Sequence, residues 1–269
     1  NLSAPFPGDH TLVAPTPPQP TVVSAQMYII DQSHPDGFVL AQGSQLTVSI
    51  GQLVPGPTID EEIVTITPEG LPVCGPASIP FFGTAYTQLN VHSNGRVSFG
   101  NYPSIDFSAS PAEAMAGDPF VGFWTDLDPT NGNVTIHAST PSAIVVGYTA
   151  TYFDEPGANV SFYIRFDAAT GGVDLVGLQF IPVNPLTSAL ATAGDRQFLG
   201  LSPGLGATDP GPVTFGVGAV GSGGSSAMLY DWYDHLSGGT PLVPSLQAGN
   251  LYGIFFSPNG QGGYDWTGL

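Results

Sequence analysis

The chain has 269 residues, 42% of them hydrophobic, with 36 Gly, 27 Pro and a net charge of −18. Only 9% of residues are charged, Lys is absent and the three cations are Arg96, Arg165 and Arg196; such a surface excludes general binding to a nucleic-acid backbone and disfavours anionic membranes. The Gly and Pro content argues against long helices, while 16 Phe, 10 Tyr and 3 Trp supply the bulk of a folded core.

Residues 1–20 carry Pro5, Pro7, Pro15, Pro17, Pro18 and Pro20, which predicts an extended arm with little internal hydrogen bonding. From Thr21 to Ile30 the pattern alternates: Val23, Ala25, Met27 and Ile29 share one face, Ser24 and Gln26 the other. That is the pattern of a strand with one buried face. An extended arm leading into such a strand suits donation of the strand to the open sheet of a neighbouring copy. It equally suits an arm folded back over its own sandwich.

Phe38–Ala41 and Gln45–Ile50 read as a hairpin around Gly43, and Pro55 and Pro57 then interrupt the chain before Ile63–Thr67. These breaks place a boundary at residue 58, with an extended arm and accessory strands over 1–58 and a β-sandwich domain over 59–269. Further strands are expected near 85–92, 96–100, 119–126, 133–138, 143–151, 160–167, 173–181, 197–202, 213–218, 227–233 and 251–257. Asn94-Gly95 predicts a two-residue type I′ turn, and Thr170-Gly171-Gly172 marks a second hairpin. A single helical turn is expected near Pro111–Met115. Strands at this spacing with no helical period between them indicate an all-β, antiparallel sandwich.

Asp126-Leu127-Asp128-Pro129-Thr130-Asn131-Gly132-Asn133 is the strongest candidate site. Hard cations such as Ca²⁺ take six to eight oxygens from carboxylates, amides and backbone carbonyls on a sharply turning loop. Asp126, Asp128, Thr130, Asn131 and Asn133 supply that donor set. The competing reading has the same side chains capping backbone N–H groups in a tight turn. A third treats the two carboxylates as a glycosidase pair, since an i, i+2 spacing of about 6.5–7 Å on a strand approaches the inverting range.

Other motifs are weaker. Gly200-Leu201-Ser202-Pro203-Gly204 spells a serine-hydrolase elbow, but Pro203 lacks the N–H that an oxyanion hole needs. Gly216-Val217-Gly218-Ala219-Val220-Gly221 is followed by Ser and Gly rather than by a helix that would hold a pyrophosphate. Cys74 is the one cysteine and forms no internal disulfide. No apolar run reaches the ~18 residues that span a bilayer, and a start at Asn1 fits a chain whose signal peptide has been removed.

Four stretches carry a family resemblance: Phe81-Phe82-Gly83-Thr84-Ala85-Tyr86; Ser93-Asn94-Gly95 ahead of Phe99-Gly100; Trp124-Thr125-Asp126-Leu127-Asp128; and Leu199-Gly200-Leu201-Ser202-Pro203-Gly204. Over roughly residues 60–258 the chain resembles the extracellular β-sandwich domains of the nidogen type (NIDO) and similar domains of secreted bacterial proteins, planctomycete ones especially. The resemblance implies a jelly-roll-like sandwich that binds or builds rather than catalyses. It also implies a structural role for the Asp-x-Asp that follows the core Trp. The first expectation is therefore a secreted, non-enzymatic structural or adhesive protein. Its copies would assemble into an extracellular filament or surface layer by strand donation through Val23, Ala25, Met27 and Ile29, with Ca²⁺ as the cofactor. A Ca²⁺-dependent module that binds glycans or matrix is the alternative, and a glycoside hydrolase the third reading.

Overall fold

The computed structural model describes residues 28–29, 39–40, 53–71, 75–100, 107–153, 155–181, 196–234 and 253–268. The chain divides into two units, residues 1–51 and 52–269. In the first, β1 (Tyr28–Ile29) pairs antiparallel with β2 (Val39–Leu40), Tyr28 opposite Leu40 and Ile29 opposite Val39. Ile29 thus lies in a strand, as expected. Val23, Ala25, Met27, the Gln45–Ile50 half of the expected hairpin and Cys74 lie outside the described residues.

The second unit begins with β3 (Val54–Pro55) and β4 (Ile63–Ile66), followed by the hairpin of β5 (Ile79–Phe81) and β6 (Thr84–Tyr86). Then come β7 (Leu89–His92), β8 (Arg96–Ser98), α1 (Pro111–Ala116), β9 (Phe120–Trp124) and β10 (Leu127–Thr140). Three long strands form a meander with β10: β11 (Ala143–Tyr152), β12 (Glu155–Asp167) and β13 (Val173–Ile181). The chain closes with β14 (Arg196–Ser202), β15 (Val220–Ser222), β16 (Leu229–Asp234), β17 (Gly253–Pro258) and β18 (Tyr264–Gly268).

These strands make an eight-stranded sheet, in the order β15-β18-β17-β13-β12-β11-β10-β3, and a six-stranded sheet, in the order β16-β14-β9-β8-β7-β4. Every pairing within them is antiparallel, and the two sheets pack together as the expected sandwich. Alternation decides which side chains meet. Along β11, Ile144, Val146, Tyr148 and Ala150 enter one hydrophobic cluster with Val121, Phe123, Leu199 and Leu201 of the six-stranded sheet. The intervening residues of that second sheet, Phe120, Trp124, Phe198 and Tyr230, form a separate cluster with Ala114 of α1. The middle of the six-stranded sheet is therefore buried on both faces, one against the other sheet and one under α1.

The helix itself follows from its cap. Ser110 is extended, its Oγ accepts from the Glu113 N–H, and Pro at the first turn removes one N–H that would otherwise lack a helical partner.

Three local expectations are corrected. Between β7 and β8 the chain turns through three residues, Ser93, Asn94 and Gly95; only Gly95 has positive φ, at 77°. A type I′ turn needs both central residues there, so the two-residue reading of Asn94-Gly95 fails. The turn with paired positive φ is Phe82 (45°) and Gly83 (76°), between β5 and β6. Phe82 is held in it by edge contacts with Phe81 and Tyr264, both at 4.9 Å. Second, residues 213–218 are not a strand: Pro212 has no N–H for a ladder, and Phe215 is instead a buried plug against Phe256 and Trp266. Third, β15 and β18 at the end of the large sheet were not anticipated. Their pairing sets Gly221 opposite Trp266, where a Cβ would lie 2.2 Å from the indole nitrogen.

Candidate functional site

The Asp-rich segment starts where β9 ends. The Leu127 N–H donates to the Asn94 Oδ1 (2.9 Å) and the Phe153 N–H to the Asp126 carbonyl (3.2 Å), so the backbone around Asp126 is pinned on both sides. Asp128 has a different use: its Oδ1 accepts from the Thr130 N–H at 2.8 Å, closing an Asx turn. Immediately afterwards the β10–β11 register shifts between Asp128 and Asn133. Thr130, Asn131 and Asn133 stand exposed on the resulting bulge, with Asn133 back in register opposite Thr149.

The carboxylate of Asp126 meets two acids from the turn before β4. Ligand oxygens of Asp60, Glu61 and Asp126 all lie within 4.8 Å of one another, and all three residues are half-buried. The Thr58 and Ile59 N–H groups donate to the Glu62 Oε2 (2.6 and 3.3 Å), which folds that turn tightly, and Glu61 takes a left-handed φ of 57°. Asn94 joins the two segments. Its Oδ1 holds Leu127 while its Nδ2 donates to the Glu61 Oε1 at 3.3 Å.

Three carboxylates this close repel one another. Burial raises the Asp60 carboxyl above its ordinary range, an effect that the Glu61 N–H opposes and the charge of Asp128 reinforces. The buried Asp60 Oδ1 makes no hydrogen bond. These three carboxylates are the residues that could hold a hard divalent cation. Sequence reasoning found Asp126 and Asp128 but missed Asp60 and Glu61, which lie more than sixty positions earlier. The only local signal was the acidic run Asp60-Glu61-Glu62 in an otherwise charge-poor chain.

Residues 76–204 match the family model described as NIDO related. This stretch is a NIDO-like domain. The match runs from the lead-in to β5 to the end of β14, so it is narrower than the resemblance read from the motifs, and it carries no taxonomic detail. No curated protein and no solved structure matches the chain. Asp126 and Asp128 belong to the NIDO-like domain, whereas Asp60 and Glu61 reach its edge from the preceding turn.

Within the NIDO-like domain Ser202 is buried. Its Oγ donates to the Ala114 carbonyl (2.6 Å) and accepts from the Gly204 N–H (3.0 Å), so it ties β14 to α1. That is the chemistry of a clamp, in agreement with the loss of the oxyanion donor at Pro203. Beyond the domain, Trp232 packs partly buried on the α1-side cluster. Beside it, burial pushes the Asp231 carboxyl up to about 6, against the pull of the Trp232 N–H on its Oδ1.

Proposed function

We propose that the protein is a secreted, non-enzymatic structural module whose copies assemble into an extracellular filament or surface layer by strand addition. A NIDO-related domain is by type an extracellular adhesive or structural domain, which gives the coarse reading. One observation supports the finer one. β10 is 14 residues long, yet among the described residues its outer side is paired only by the two residues of β3, at Thr135 and Ile136, with Gly56 adding one bond to Val134. A long strand with so little cover presents unpaired N–H and C=O groups to an incoming strand.

Residues 1–53 lead directly into β3. An arm from a neighbouring copy, presenting Val23, Ala25, Met27 and Ile29, would extend the ladder along β10 through main-chain bonds, which need no charge and suit a chain without Lys. Ca²⁺ at Asp60, Glu61 and Asp126 would neutralise the carboxylates at the start of that edge. The same acids favour a second reading, a Ca²⁺-dependent adhesion module for glycans or matrix. The non-enzymatic reading draws support from Asp128, whose carboxylate is occupied as a turn cap, and from Ser202, which serves as a clamp.

Removing residues 1–30 tests the proposal. The truncated chain is expected to stay folded and to run as a monomer, whereas the full chain polymerises. Polymers from the truncated chain would refute strand addition. Glycan-array binding that chelation abolishes would favour the second reading, and hydrolysis lost in Asp126→Asn would favour an enzyme.

A further inference from the structure

Two polar side chains are buried where β9 meets β14 in the six-stranded sheet: Thr125, 0% exposed, and Gln197, 1% exposed. The β9–β14 register runs from Ser202 opposite Phe120 to Phe198 opposite Trp124. One step further along it, Gln197 stands opposite Thr125. Alternation puts both on the side of Phe123 and Leu199, which belong to the central core, and Tyr233 of β16 follows opposite Gln197. The Thr125 N–H donates to the Asn94 carbonyl at 3.4 Å, so its backbone is still tied to the β7–β8 turn. The buried Thr125 Oγ1 makes no hydrogen bond among the described residues.

An unbonded hydroxyl sealed from water is costly and calls for an explanation. Its oxygen is a nucleophile, and the carboxamide that faces it is an acyl group. Residues directly opposite in an antiparallel pair have Cβ atoms about 4.5–5.5 Å apart, a gap that the Cβ–Oγ–Cδ–Cγ–Cβ chain of a Thr–Gln ester spans. Fixing both reactants in neighbouring strands replaces a bimolecular encounter by an intramolecular one. Burial then keeps water from the ester once it has formed.

We propose that Thr125 and Gln197 form an intramolecular ester cross-link between β9 and β14. The Thr125 Oγ1 bonds to the Gln197 Cδ, the bond from Cδ to Nε2 breaks, the hydroxyl proton passes to Nε2, and ammonia leaves. The atoms balance without an oxidant or reductant. The link closes residues 125–197 into a loop that contains the whole β10–β13 meander. Tension carried along the chain would then pass directly from β9 to β14 and bypass the meander. The cross-link uses neither the arm nor the outer side of β10, so it stands or falls separately from the proposed assembly.

Mass spectrometry of the intact, denatured full chain tests it. The wild type should be lighter than its sequence by one ammonia, and a peptic digest should contain a linked species joining the peptides of Thr125 and Gln197. Thr125→Val and Gln197→Met should each have the full sequence mass, while Thr125→Ser, which keeps the hydroxyl, should again lose ammonia. Thr125→Val should also melt below wild type, since it removes a cross-link that constrains the unfolded chain. A buried hydroxyl with no further role predicts the opposite, because replacing it by a methyl group is neutral or stabilising. Wild type at the full sequence mass, an ammonia loss that persists in Thr125→Val, a linked species that lacks either residue, or a Thr125→Val chain that melts at or above wild type would each overturn the proposal.

Discussion

Tyr148 of β11 is a polar tie between the two sheets, and its removal has a calculable consequence. The side chain is 1% exposed, and its hydroxyl donates to the carbonyls of His92 and Arg96, both at 3.0 Å, at the two ends of the β7–β8 turn. Burial drives the phenol pKa far above its ordinary value, with Arg96 opposing more weakly, so the hydroxyl remains a donor throughout the accessible pH range. Tyr148→Phe keeps the ring and its stack on Phe162, 4.7 Å between centroids at an angle of 11°. The change therefore isolates the hydroxyl. Two buried acceptors lose their shared donor, which costs about 2 kcal/mol. For a unit of this size that corresponds to a fall in Tm of about 4–8 °C. Calorimetry on wild type, Tyr148→Phe and Tyr148→Leu checks the reasoning. The Leu variant should fall further, because it also loses the ring contact. A Phe variant within ~0.5 kcal/mol of wild type would refute the idea that this hydroxyl ties the sheets together.

Other outcomes follow from the same geometry. Gly95→Ala places a Cβ 2.1 Å from the Phe123 carbonyl at a φ of 77°; denaturant unfolding should show a loss of about 2–4 kcal/mol. Asp231 has its folded pKa raised to about 6 from 3.8, so the stability it contributes is present below 3.8 and lost as pH rises through 6. Asp231→Asn should accordingly stabilise the protein at pH 7.5, by about 1–2 kcal/mol after allowing for solvent screening, with no difference below pH ~3.8. His92 works in the opposite direction. Its folded pKa lies well below 6.5 because of burial and Arg96, so its contribution is present above 6.5 and declines as pH falls beneath that value. Ca²⁺ at one hundred times its Kd should raise stability by about 2.7 kcal/mol. Asp60→Asn should remove that gain and raise the Ca²⁺-free Tm by relieving repulsion; equal melting of wild type with Ca²⁺ and with chelator would refute the cation site.

How much of this was legible depended on whether the signal was local. β4 and β13 were readable because short apolar runs end at turn residues, and β11 because Ile144, Val146 and Tyr148 alternate with residues that leave the central core. The helical turn near Pro111 is likewise a local feature, with Pro111 in its first turn and Ser110 capping the Glu113 N–H. β9 showed that a strand lay at Phe120–Trp124, but a run buried on both sides cannot reveal which residue faces which cluster. Residues 213–218 misled because one buried Phe215 mimics a strand while Pro212 denies the ladder. The acid cluster was invisible for a different reason. Asp60 meets Asp126 only after the sheet and the turns are built.

The sharpest test of the assembly account is negative-stain microscopy of the full chain beside the chain lacking residues 1–30, each at the same concentration and in Ca²⁺. The account predicts continuous fibres or sheets from the first and isolated particles of one sandwich from the second. Isolated particles from both, or fibres from both, would contradict it.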